Sequence, residues 1–139
     1  MRISANVINS QDNHKIILKT NENVHELEIA SKPTGYGSSA NGGELLFLAL
    51  ATCYVNDIYR EAAKKGIKIE RVEVEVAGEF DYEGAPAKNV TYKVRATSDA
   101  SESDILELMR LTDTVAEIQN TLRQSTPVTL VETEVVKAQ

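Results

Sequence analysis

Cysteine and tryptophan are nearly missing from this chain of 139 residues: it has one Cys, no Trp, and an aromatic content of 5%. A single cysteine closes no disulfide within its own chain. With only His14 and His25 beside it, there is no metal-ligand set at a familiar spacing, so neither disulfide staples nor structural zinc are expected. Positive charge is also short, with 15 Lys and Arg against 21 Asp and Glu, a net charge of −6 and a pI of about 5.0. Bulk charge therefore supplies no broad basic patch for phosphate backbones, and nucleic acid is not an expected partner. No stretch approaches the roughly 18 apolar residues of a membrane span, and MRISANVINSQ lacks the apolar centre of a signal peptide. The expectation is a cytoplasmic protein with no membrane partner.

What remains is ordinary for a globular protein, 42% hydrophobic and 26% charged, in a length that suits one domain. ISANVIN, HKIILKT and VHELEIA read as short antiparallel strands separated by the polar turns SQDN and NEN. SKPTGYGSSANGG, with one Pro, four Gly and three Ser, is a surface loop. The Gly35-x-Gly37 pair within it lacks the fingerprint of a phosphate cradle. Asn41 followed by Glu44 has the spacing of a capping box, and Gly66 after Lys64 and Lys65 is a helix ending, so a helix is predicted over about 42–65. Its first half, LLFLALA, is apolar nearly all round and needs enclosure on every side, more than one short chain supplies, which points to a partner chain.

Beyond the helix, RVEVEV alternates so that Val72, Val74 and Val76 share one face and Glu73 and Glu75 the other. NVTYKVRAT forms a second strand with Val90, Tyr92 and Val94 inward. Ser101 caps an amphipathic helix carrying Ile105, Leu108, Met109 and Leu111; a helical turn IQNTLRQ and a final strand PVTLVETEVV follow. The order is that of an α+β protein with helices packed on antiparallel sheet. His14 and His25 fall on strands read as edges and are taken to be solvated.

Cys53 sits about three turns inside the long helix, beyond the reach of that helix's own N-terminal dipole. A lone Cys among apolar helical residues is usually an inert small hydrophobe, whereas a reactive one needs a cation or a helix N-terminus close by. Asp57, one turn on, would raise the thiol pKa if close; Arg60, two turns on, is the cation able to reach back.

The run NGGELLFLALATCYVNDIYREAAKKGIKIERVEVEV, followed by EIQNTLRQSTPVTL with Asn120, Thr121 and Leu122, resembles the OsmC/Ohr family of osmotically induced proteins and organic hydroperoxide reductases from about Gly35 onward. The resemblance implies an OsmC-like fold: antiparallel sheets around a long central helix, in an intertwined homodimer. It implies no cofactor and a peroxidatic cysteine at Cys53, which an organic hydroperoxide oxidises to a sulfenic acid. Glu44 stands where active members carry an acidic residue at the start of the central helix, although nine residues put it about 13 Å from Cys53 and half a turn out of phase on one helix. The family's resolving cysteine is replaced by Ala116, and only His14 and Lys15 stand near the place of its N-terminal arginine. The implied activity is thus a one-cysteine hydroperoxide reductase restored by an external thiol reductant. The alternative is a non-catalytic dimer that binds a small apolar molecule or senses oxidants, with Tyr36, Phe47 and Tyr54 lining a cleft and Arg60 beside the sulfur.

Overall fold

The computed structural model describes residues 1–138. Contacts divide the chain into two compact units, Met1–Phe47 and the portion from Leu48 onward.

The first unit is a three-stranded antiparallel meander of β1 (Ile3–Ser10), β2 (Asn13–Thr20) and β3 (Asn23–Leu27), in the order β1-β2-β3. The pairings Ser10↔Asn13 and Thr20↔Asn23 leave two-residue turns, and each turn holds a residue at positive φ, Asp12 at 56° and Asn21 at 51°. Asn and Asp tolerate that conformation best among residues with a side chain, which is why SQDN and NEN are where the chain reverses. The following loop folds back on the first turn. The Asp12 N–H donates to the Gly35 carbonyl at 2.7 Å, and Asn9 exchanges hydrogen bonds with the Gly37 backbone. Gly35 has a φ of +90°, and a Cβ there would lie 2.6 Å from Asp12 Oδ1, so both conformation and space call for glycine. His14 is not on an edge strand: β2 is the central strand, and the His14 ring pairs through Nδ1 with Asn9.

Helix α1 (Gly42–Lys64) begins with the expected capping box. The Glu44 N–H donates to Asn41 Oδ1 at 2.8 Å and the Asn41 N–H to Glu44 Oε1 at 3.0 Å. The helix ends at Gly66, whose φ of +66° is the left-handed turn that stops a helix. From Leu50 onward the buried residues Tyr54, Asp57, Ile58, Glu61 and Ala62 form one stripe at helical spacing. Among the described residues of the preceding run LLFLAL only Leu50 is buried, and Leu48 is 56% exposed.

The second unit adds the hairpin of β4 (Arg71–Glu79) and β5 (Lys88–Thr97), then α2 (Glu102–Val115) and α3 (Glu117–Arg123). Val74 pairs with Val94 and Val76 with Tyr92, and exposure alternates along β4 as the Val/Glu alternation dictates. Val90 departs from the expected inward face and is exposed, lying towards the loop end of the hairpin where the register shifts between Ala77 and Glu79. Ser101 Oγ accepts from the Asp104 N–H and starts α2. Tyr54, Ile58, Ala62, Ile69 and Leu108 form the core, with Val72, Val74, Tyr92, Val94 and Met109 packed against it. The Tyr54 and Tyr92 rings meet edge to face at 5.4 Å, and the Tyr54 hydroxyl donates to the Met109 carbonyl at 2.9 Å, which joins helix α1 to both β5 and α2.

The fold is therefore α+β with antiparallel sheets, as the sequence predicts, except at its end. PVTLVETEVV forms no strand with the rest of the described chain, and Val128, Leu130, Val131, Val135 and Val136 are each at least 82% exposed. Alternation selects a strand-like segment but not its neighbour, and no sheet edge within the described residues takes this one.

Candidate functional site around Cys53

Cys53 is half-buried on α1 and lies outside the apolar core cluster. One turn on, Asp57 is buried with Oδ2 at 3.6 Å from the sulfur, and Glu117, at the start of α3, places Oε2 at 3.7 Å. A thiol has one hydrogen, so it donates to one of these carboxylates at a time. The Arg60 guanidinium lies against the same two acids, with Nη1 2.9 Å from Asp57 Oδ1 and 3.9 Å from Glu117 Oε1, while Nε reaches Glu61 at 3.1 Å. Lys64 Nζ completes the row, 3.0 Å from Glu61.

Helical spacing explains the first half of this arrangement, since positions 53, 57, 60, 61 and 64 recur on one face of α1. The second half comes from α3. Gln119 Nε2 donates to the Leu50 carbonyl at 2.9 Å, and Ala116 is fully buried, so the first turn of α3 is held against α1 and delivers Glu117.

The electrostatics favour the protonated thiol. Burial, then the nearby Asp57 and Glu117 charges, push the Cys53 pKa above its ordinary value against the lowering effect of the Ile118 backbone. Burial, then the charge of Glu117, raise Asp57, with Arg60 opposing. Glu117 is held below the usual carboxylate range, chiefly by a bond from its own backbone N–H. The sulfur and one oxygen from each acid lie within 4.8 Å of one another, a spacing that would suit a cation, but the Arg60 guanidinium already supplies positive charge to both carboxylates.

The other residues singled out in the sequence have these surroundings within their own units. Glu44 caps α1 through Asn41 in the first unit. Tyr36 is 57% exposed in the loop of the first unit, and Phe47 is half-buried on α1 at that unit's end. Tyr54 follows Cys53 but points into the core, where it lines a shallow cleft of about 500 Å³ with Tyr92, Val94, Met109, Arg110 and Asp113. Arg60 bonds the acids beside the sulfur, Lys15 pairs with Glu26, and Arg123 pairs with Asp113. Glu117 escaped the sequence reading because nothing in spacing links positions 53 and 117.

A family model described as OsmC-like protein matches residues 35–131. No curated protein matches the chain. Among solved structures, an OsmC-like protein from Mycoplasma pneumoniae is similar at 17% identity and a TM-score of 0.62, covering 86% of this chain and 87% of that one. An organic hydroperoxide resistance protein from Legionella pneumophila is similar at 18% identity and a TM-score of 0.55, over 88% and 90% of the two chains. An OsmC-like hydroperoxide resistance protein from a Jannaschia species is similar at 14% identity and a TM-score of 0.56, over 91% and 88%.

Proposed function

The chain belongs to the family of OsmC-like proteins, and from that premise we propose that it is a one-cysteine hydroperoxide reductase working as a cytoplasmic homodimer. Cys53 attacks the outer oxygen of a small organic hydroperoxide; the O–O bond breaks, an S–O bond forms, and the products are a Cys53 sulfenic acid and an alcohol. An external thiol then displaces water from the sulfenic acid to give a mixed disulfide. A second thiol, or the other sulfur of a dithiol, releases Cys53 and leaves as the oxidised reductant. Ala116 makes this outside step necessary, since no second cysteine exists.

The observation that carries the reading is the company Cys53 keeps. An inert cysteine packs among apolar groups, whereas this sulfur lies within 3.7 Å of two carboxylates that Arg60 orients. Two of the similar structures are hydroperoxide resistance proteins, which agrees with it. The test is consumption of cumene hydroperoxide by the reduced protein with dithiothreitol or dihydrolipoamide, beside Cys53→Ser. Consumption that disappears in the variant is expected; equal rates in the two proteins would sink the reading. The cleft between Tyr54, Tyr92 and Met109 favours a second reading, a dimer that binds a small apolar molecule there without turnover.

A further inference from the structure

The surroundings of Cys53 invert the usual way of activating a thiol. A cation beside the sulfur would stabilise the thiolate, but here the charged groups at hydrogen-bond distance are anions, and the cation stands behind them. An arrangement that keeps the proton on sulfur serves a reaction only if something takes that proton during the attack. We propose that the Asp57 carboxylate is the proton carrier of this site, accepting the Cys53 proton as sulfur attacks and passing it to the departing alkoxide. The proposal rests on the hydroperoxide reading and adds a catalytic residue to it.

The atoms balance without a further co-reactant. The thiol and the hydroperoxide become a sulfenic acid and an alcohol; sulfur loses two electrons, the O–O bond gains them, and the one proton that moves goes from sulfur through Asp57 to the alkoxide oxygen. Geometry distinguishes Asp57 from Glu117. Arg60 binds Asp57 Oδ1 at 2.9 Å, which fixes the carboxylate with Oδ2 turned to the sulfur at 3.6 Å. Asp57 is buried, its side chain 6% exposed, whereas that of Glu117 is 63% exposed and only 3.9 Å from the same guanidinium. A buried, clamped carboxylate keeps its aim through the reaction, and an exposed one shares its proton with water. Asp57 also holds a proton more firmly than an ordinary carboxylate, because of its burial and the Glu117 charge, which suits a group that must take a proton from a thiol. Glu117 remains charged and maintains that affinity.

Two reactions of the same sulfur separate a proton carrier from a neighbour that merely suppresses the thiolate. Alkylation by iodoacetamide expels iodide, which needs no proton, so its rate follows the thiolate fraction; oxidation by cumene hydroperoxide expels an alkoxide, which does. In Asp57→Asn, alkylation at pH 7 should rise severalfold as a negative charge leaves the sulfur. Single-turnover oxidation, followed as loss of free thiol under excess peroxide, should fall by about a hundredfold, the usual worth of a general acid–base group. Oxidation that holds or rises with alkylation would overturn the proposal, and so would a parallel fall in both, which would mark Asp57 as structural. Glu117→Gln, on an exposed residue whose loss the fold tolerates, should speed alkylation while slowing oxidation less than Asp57→Asn; oxidation rising in step with alkylation would again overturn it. A wild-type protein whose Cys53 oxidises no faster than free cysteine would remove the hydroperoxide reading itself, and the role of Asp57 with it, whatever the variants do.

Discussion

At the scale of single residues, Cys53 is held protonated by its surroundings, and that has a sign that can be measured. Burial and the two flanking acids raise its folded-state pKa above the ordinary 9.0. Any stability that comes from this shift is fully present below the unfolded value and declines as pH rises through the folded one, because the unfolded thiol ionises first. The pH profile of iodoacetamide alkylation in the native protein should therefore have its midpoint above that of the same protein unfolded in urea; a native midpoint at or below the unfolded one would contradict the geometry. Much of this was legible beforehand. Asp57 and Arg60 stand one and two turns from Cys53, and helical spacing alone brings them to its face. Glu117 was not legible, since it arrives through the packing of α3 on α1, where Gln119 meets the Leu50 carbonyl across 69 positions of sequence. The capping-box spacing of Asn41 and Glu44 was legible too, and the Glu44 carboxylate caps α1 as that spacing says.

At the scale of elements, polar side chains do what the small core does not. Asp113 on α2 accepts from the Tyr92 hydroxyl on β5 and pairs with Arg123 on α3 at 2.6 Å, so one carboxylate joins three elements. Burial opposes its ionisation, but the bonds from Tyr92 and Arg123 outweigh that and hold its pKa below the usual carboxylate value. The stabilisation is present above the unfolded pKa and is lost as pH falls through the lowered folded one. Asp113→Asn should therefore melt several degrees below the wild type at pH 7, and the gap should narrow as both are acidified through the carboxylate range. A gap that stays constant with pH would assign the loss to altered packing instead of the charge. The spans of α1, α2 and the two hairpins were readable because caps, turns and periodicity are local signals, as Asn41, Ser101, Asp12 and Asn21 show. The last segment, read as a final strand, forms none among the described residues for the complementary reason. Its alternation says which side chains share a face, and pairing depends on an edge that lies elsewhere.

For the whole molecule, the unpaired apolar surface is the feature that a single chain leaves without an account. Leu48 is 56% exposed in the middle of an otherwise apolar helical run, and Val128, Leu130, Val131, Val135 and Val136 are almost entirely bare. Burying six such side chains would contribute on the order of 10 kcal/mol. Association costs about 4 to 15 kcal/mol in lost translational and rotational freedom, so the burial is of the size needed to offset that cost. A second copy of the chain, proposed here as the functional state, would cover them. Sedimentation velocity at micromolar concentration should give a species of about twice the 15.3 kDa chain mass, and Leu48→Glu or Val131→Glu should shift it towards the single-chain mass, since each would bury an unpaired carboxylate in the interface. Wild-type protein that sediments as a well-behaved single chain throughout that range would mean that the exposed valines face water after all, and that the site at Cys53 must be complete within one chain.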